Sequence, residues 1–161
     1  MSSVILPGSY DPVTLGHLAI IEKAASEYDE VYVVAFLNPD KKYTFSPDER
    51  LAMLMLATDH LPNVLVSYST RLVIDYMREH EIEKIIKGYR NDADYEYELL
   101  QAEWNKSHGG YDTELWRCDD EHEAISSTIA REKLQKGDSL AGILPESVIE
   151  YIKNLDKREK I

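Results

Sequence analysis

The sequence predicts an α/β fold: a single domain over residues 1–161, built as an open parallel sheet with helices on both faces. Segments with strand-like and helix-like patterning alternate along the chain, the order that parallel strands joined by helical crossovers produce. The run Val31-Tyr32-Val33-Val34-Ala35-Phe36 is apolar at nearly every position, as a strand covered on both sides must be. No repeat, low-complexity tract or Gly/Ser linker marks a domain boundary. At 161 residues, 43% hydrophobic and 30% charged, the chain suits one core.

The elements follow in order. Val4-Ile5-Leu6 is a short apolar strand stopped by Pro7-Gly8. After Asp11-Pro12 the period becomes helical, with Leu18, Ile21 and Ala25 on one face and Ala24 and Tyr28 beside them. The second strand is Val31 to Phe36. Ser46-Pro47-Asp48-Glu49 then supplies a capping serine, a proline at the first helical position and a glutamate at the third. That helix is expected to reach about Asp59, with Leu51, Leu54, Met55 and Thr58 inward. Val64-Leu65-Val66 reads as the third strand and Arg71 to Glu79 as the third helix. Lys84-Ile85-Ile86 is a fourth strand, expected to break at Gly88. A helix from Asp94 to Lys106, a strand at Leu115-Trp116 and helices over Ser127–Gln135 and Pro145–Asn154 complete the set. The charged tail, from about residue 156 and clearest in Lys157 to Ile161, is expected to fray.

Charge and cysteine content narrow the classes of function. Thirty acidic residues stand against 18 lysines and arginines, a formal net charge of -12. Nucleic acids and anionic membranes both need an excess of positive field, so neither is an expected partner. The single cysteine, Cys118, excludes an internal disulfide framework and a thiolate zinc cluster. The N-terminal residues show no basic flank and long apolar run of a secretion signal, and no segment approaches the roughly 18 apolar residues of a membrane span. A cytoplasmic location is the expectation.

In open parallel sheets ligands bind beyond the carboxyl ends of the strands, and the unusual residues of this chain fall in those loops. The first runs from Pro7 to His17, with Gly8 and Gly16 permitting close backbone approach and His17 near a helix start. Lys41-Lys42 follows the second strand. Lys87-Gly88-Tyr89-Arg90 places two cations about a glycine at a strand's end. Ile125-Ser126-Ser127-Thr128-Ile129-Ala130-Arg131 puts hydroxyls at a helix start and an arginine one turn on. Each has a plainer reading when taken singly: a local cap, a solvated lysine pair, an ordinary serine N-cap. No P-loop, dinucleotide fingerprint or hydrolase elbow is present, and the histidines lack metal-ligand spacing. Asp119-Asp120 could hold a divalent ion, although an exposed acidic turn is the commoner meaning.

Together these loops resemble the two signatures of the nucleotidylyltransferase superfamily, [HT]-x-G-H at Thr14 to His17 and I-S-S-T-x-x-R at Ile125 to Arg131. Within it the chain is similar to the bacterial phosphopantetheine adenylyltransferase family. The likeness includes P-G-S-Y-D-P-V-T-L-G-H, D-K-K-Y-T-F-S-P-D-E-R, K-G-Y-R-N-D-A-D-Y-E-Y-E, Asn105 and L-P-E-S-V, spanning residues 3 to 152. The resemblance implies a Rossmann-like sheet and adenylyl transfer from ATP to 4'-phosphopantetheine, with Mg²⁺ carried mainly by ATP and no dedicated metal ligands. It further implies a homo-oligomer, in the family a hexamer.

By resemblance, His17 would stabilise the transition state and Lys41 would assist it. Ser9, Lys41, Val73, Lys87 and Asn105 would bind the acceptor. Ser9, Tyr10, His17, Gly88, Tyr89, Arg90 and Glu98 would bind ATP, with His122, Glu123, Ala124, Ile125, Ser126, Ser127, Thr128 and Arg131. Four places depart from the family's pattern: Lys87 for the usual arginine, Ser9 for the commoner threonine, His122-Glu123-Ala124 for an aromatic-containing stretch, and Ser107 to Tyr111. A sister transferase with another acceptor (nicotinamide mononucleotide, or glycerol phosphate with CTP) and a non-catalytic nucleotide sensor are the competing readings.

Overall fold

The computed structural model describes residues 2–159, the side chains of 156–159 excepted. Five parallel strands form one sheet in the order β3-β2-β1-β4-β5. They are β1 (Ser3–Gly8), β2 (Glu30–Phe36), β3 (Val64–Ser69), β4 (Lys84–Tyr89) and β5 (Thr113–Arg117). The helices between and after them are α1 (Leu15–Glu27), α2 (Pro47–Thr58), α3 (Val73–His80), α4 (Asp92–Gly109), α5 (Ser127–Lys136) and α6 (Glu146–Glu159). The predicted fold class is what the chain adopts. The strand order turns back at β1, which pairs with β2 on one side and β4 on the other. That reversal opens a crevice beyond the carboxyl ends of these two strand pairs.

Alternation along the strands divides the core into two layers. Val4 and Leu6 of β1 with Val31, Val33 and Ala35 of β2 meet Ile21 of α1, Met53 and Leu54 of α2, Ala130 of α5 and Val148 and Ile152 of α6. Ile5, Val34 and Ile85 face the other way, against Tyr76 and Met77 of α3. Each such aliphatic side chain removed from water contributes about 1.5–3 kcal/mol, so the sheet is clamped from both sides. Among the described residues no helix is long and apolar enough to cross a membrane.

Three expectations need correction. The inward face of α2 carries Arg50, Met53, Leu54, Ala57 and Thr58, whereas Leu51 is half-buried and Met55 is 57% exposed. The face is rotated because Arg50, a residue expected in water, points inward. β4 does not break at Gly88 but runs on to Tyr89, where the missing side chain admits Ile20: a Cβ at Gly88 would lie 3.2 Å from its Cγ1. The backbone of α6 continues through Glu159, so the expected frayed tail is helical for most of its length; Lys160 and Ile161 lie outside the described residues.

The unusual segment Ser107 to Tyr111 also finds a physical reason. α4 buries no residue completely and meets α3 near its own C-terminal end. Gly109 permits that contact, and Gly110 closes the helix in the left-handed region at φ 77°. A Cβ at Gly109 would fall 2.7 Å from Ile74 Cγ2 and 3.0 Å from Tyr111 Cδ2. Gly109→Ala is therefore expected to destabilise the fold by about 1–3 kcal/mol, the scale of overpacking, despite alanine's better helix propensity. Urea unfolding checks it, and an unchanged or raised midpoint would refute the packing argument.

Candidate active site

The crevice is a cleft of about 350 Å³. The β1–α1 loop lines it with Gly8, Ser9, Tyr10, Thr14, Gly16 and His17. Lys87 to Arg90 enter from β4 and its following turn, Asp94 and Glu98 from α4, and His122 with Ile125 to Ser127 from the approach to α5. Lys41 and Arg131 reach it from opposite sides of the chain order. Thus four separated loops converge. Of the residues expected from sequence, Val73, Asn105, Glu123, Ala124 and Thr128 do not line this cleft. Val73 packs against the lower core layer, Asn105 is half-buried on α4, and Glu123, Ala124 and Thr128 are exposed.

His17 occupies the third position of α1 and closes a capping box normally made by an acid. The Thr14 side chain accepts from the His17 N–H at 3.3 Å, and the Thr14 N–H donates to His17 Nδ1 at 3.0 Å. A backbone N–H can only donate, so Nδ1 is an acceptor and the ring's proton sits on Nε2. Burial, then the nearby charges of Lys87 and Arg90, lower the pKa of His17 to about 4. The site therefore presents a neutral N–H donor. Tyr10 stands edge-on to this ring at 5.0 Å between centroids, its hydroxyl donating to the Leu6 carbonyl at 2.8 Å.

The cations around His17 are held in different ways. Lys87 Nζ donates to the Pro7 carbonyl at 3.3 Å and lies 3.4 Å from Glu98, whose second oxygen is buried without a partner. Burial raises the pKa of Glu98 and Lys87 lowers it, the burial being the larger effect. Arg90 is gripped by Asp94 through Nε at 2.9 Å and Nη2 at 3.4 Å. Asp94 went unnoticed in the sequence, although its i, i+4 spacing from Arg90 is a legible signal. Lys41 is exposed, its ammonium 5.9 Å from the centroid of the Tyr43 ring.

Ser126 caps α5 by accepting from the Ile129 N–H at 3.2 Å. Ser127 Oγ donates to the Pro12 carbonyl at 2.8 Å, and Arg131 Nη1 donates to the Asp11 carbonyl at 2.8 Å. Both fasten α5 to the first loop. The first-turn N–H groups of α5, beyond reach of any helical carbonyl, make this corner favourable for an anion. Arginine and serine here brace the site as much as they could contact a ligand.

Metal donors are few. Asp94 and Glu98 in the cleft are already engaged by cations. Among the described residues, Asp119, Glu121 and His122 at the cleft's margin form a group with ligand atoms within 4.8 Å of one another, two of the three residues being exposed.

The profile of a cytidylyltransferase-like family matches residues 5–133, which takes in all four cleft-lining loops. A solved structure from Vibrio parahaemolyticus, described as a "putative nicotinate-nucleotide adenylyltransferase", superposes with a TM-score of 0.67 at 18% identity. The match covers 96% of this chain and 93% of that one, and at that identity it shows the fold alone. A crevice at the strand reversal, a neutral histidine donor and a family match over most of the chain lead to one conclusion: the chain belongs to the cytidylyltransferase-like nucleotidyltransferases.

Proposed function

We propose that the chain transfers the adenylyl group of ATP to 4'-phosphopantetheine, giving dephospho-coenzyme A and pyrophosphate in coenzyme A synthesis. The observation that carries this reading is the convergence of His17, Lys41 and Lys87 on one cleft that Ser126 and Ser127 at the α5 N-terminus also line. The acceptor preference rests on resemblance, in the Lys41-Lys42 loop and the stretch from Lys87 to Glu98.

An oxygen of the acceptor phosphate attacks the α-phosphorus of ATP in line. The new P–O bond forms as the α–β bond breaks, and the electron pair leaves with pyrophosphate. The attacking phosphate is ionised near neutral pH, so no protein nucleophile is required, and rate comes from positioning and from donors aimed at developing charge. In this role His17 Nε2–H meets the α-phosphate. Lys41 and Lys87 hold the acceptor phosphate, with Ser9 beside it, and Val73 and Asn105 belong to the arm's path. Tyr10, Gly88, Tyr89, Arg90 and Glu98 serve the nucleotide with the segment His122 to Thr128 and Arg131. Magnesium, carried by ATP, supplies charge neutralisation on the phosphates. The reading includes a homo-oligomer, supported by Tyr97, Leu100 and Trp104 exposed along α4.

The decisive experiment supplies ATP with 4'-phosphopantetheine, nicotinamide mononucleotide or glycerol phosphate (the last also with CTP) and follows pyrophosphate. Fastest turnover with phosphopantetheine is expected. Equal or faster turnover with another acceptor overturns the assignment, and ATP binding without pyrophosphate release from any acceptor supports the sensor reading.

His17→Ala is expected to lose about 2.7–4 kcal/mol of transition-state stabilisation, the scale for one lost donor of this kind. The same variant tests neutrality. The folded pKa of about 4 lies below the unfolded 6.5, so the unfolded chain binds the proton first as pH falls. His17 therefore contributes its full stability above about pH 6.5 and loses it progressively towards pH 4. Between those values the wild-type chain should lose stability relative to His17→Ala in urea titrations; parallel curves would show that the ring takes up its proton equally in the folded and unfolded chain.

Lys87→Ala is expected to raise the KM for the acceptor more than the KM for ATP, because it removes the cation assigned to the acceptor phosphate, whereas Glu98, left unpaired, disturbs the nucleotide side less. Steady-state kinetics with each substrate varied in turn checks this. A defect confined to ATP would contradict the role.

A further inference from the structure

Arg50 is 1% exposed on the inner face of α2, with its Nε buried and without a partner among the described residues. Its guanidinium makes two contacts. Nη1 donates to the Ser9 carbonyl at 3.0 Å, and the group lies 4.0 Å from the centroid of the Tyr43 ring. Neither contact repays the removal of a charge from water, and an apolar side chain of similar volume would commonly serve stability as well or better. What the two contacts share is that each reaches a loop of the cleft.

The Ser9 carbonyl belongs to the peptide that carries the Tyr10 N–H. That peptide is trans, so anchoring the oxygen on Arg50 turns the N–H to the opposite side. Ser9 and Tyr10 line the cleft, whereas Arg50 does not. Tyr10 itself sits at φ 48°, a left-handed conformation that a bulky aromatic residue holds only when its surroundings impose it.

The second contact governs the loop that bears Lys41. Tyr43, under the guanidinium, accepts the Asn38 N–H on its hydroxyl at 2.9 Å, which fixes the start of that loop. At the loop's end the buried carboxylate of Asp11 accepts the N–H groups of Thr44 and Phe45, both at 2.9 Å. Lys41 thus stands on a span fastened at both ends. Arg50 touches both this loop, through Tyr43, and the Ser9–Tyr10 peptide.

We infer that Arg50 is a positioning residue, which couples the Tyr10 backbone N–H and the Lys41 ammonium into a single pre-formed phosphate clamp. The inference rests on the adenylyl-transfer reading for its kinetic consequence. Its structural content, one loop held by another through a buried guanidinium, is tested separately.

The test uses Arg50→Met, Arg50→Lys and Lys41→Met in the full chain, each alone, and Arg50→Met combined with Lys41→Met. Lysine keeps the charge but cannot both donate to Ser9 and lie flat on Tyr43, so it is expected not to rescue. Each single Arg50 variant should lower kcat/KM for phosphopantetheine about 100-fold, the scale for displacing a positioned group by about 1 Å. With Lys41→Met the combined loss should be at least about tenfold smaller than the product of the single losses, the mark of groups acting together. Hydrogen exchange supplies the readout that does not need the acceptor. The amides of Asn38, Thr44 and Phe45 should exchange at least about tenfold faster in Arg50→Met while β2 keeps its protection. Should the wild-type chain turn over no phosphopantetheine, the acceptor assignment falls and the exchange result alone decides. Fully multiplicative losses, rescue by lysine, or exchange that is unchanged or uniformly faster each overturn the inference.

Discussion

Everything at the cleft depends on β1 being central and paired in parallel on both sides. Its register with β2 sets Gly8 against Ala35, and its register with β4 sets Val4 and Ile5 against Lys84 and Ile85. Those pairings bring the loops after β1, β2 and β4 out at the same end of the sheet. A strand slipped by one residue would send Val4 and Leu6 to the wrong core layer, so the burial that stabilises the sheet also aligns the loops. Packing energy and site geometry have a common origin here.

Within that frame the site uses buried polar groups as fasteners rather than as decoration. Asp11 and Arg50 are both inside the protein, of opposite sign, and the described contacts give each its own partners in the neighbouring loop. Ser127 and Arg131 tie the last loop back to carbonyls of the first. Each of these bonds satisfies a backbone polar group, most of them in buried or half-buried residues. The net charge of -12 is therefore no guide to the cleft. The cations there are few, and two of them are already answered by Glu98 and Asp94.

Much of this was legible in the sequence. The alternation of elements gave the sheet, and Ser46 to Glu49 gave a capping box that the structure forms with both of its hydrogen bonds. The cleft collects Ser9, His17, Lys41, Lys87 and Arg90 because residues after parallel strands share one end, which spacing alone foretells. Other features depend on distant contacts. Gly88 reads as a strand breaker until Ile20 is seen to fill its place, and nothing in the spacing of α2 turns Arg50 inward until Ser9 and Tyr43 are brought to it. Asp94 was within reach of a spacing rule. The paths of Val73 and Asn105 were not, since they depend on how α3 and α4 lean against the sheet.

The start of α1, at His17, carries the positive end of its backbone dipoles, which a neutral ring tolerates and an imidazolium would not. A neutral donor is also insensitive to ionic strength, whereas an exposed ammonium such as Lys41 is screened over about 8–10 Å in ordinary buffers. Added salt therefore reaches the two halves of the cleft unequally, loosening what is drawn in by charge and sparing what is held by a hydrogen bond.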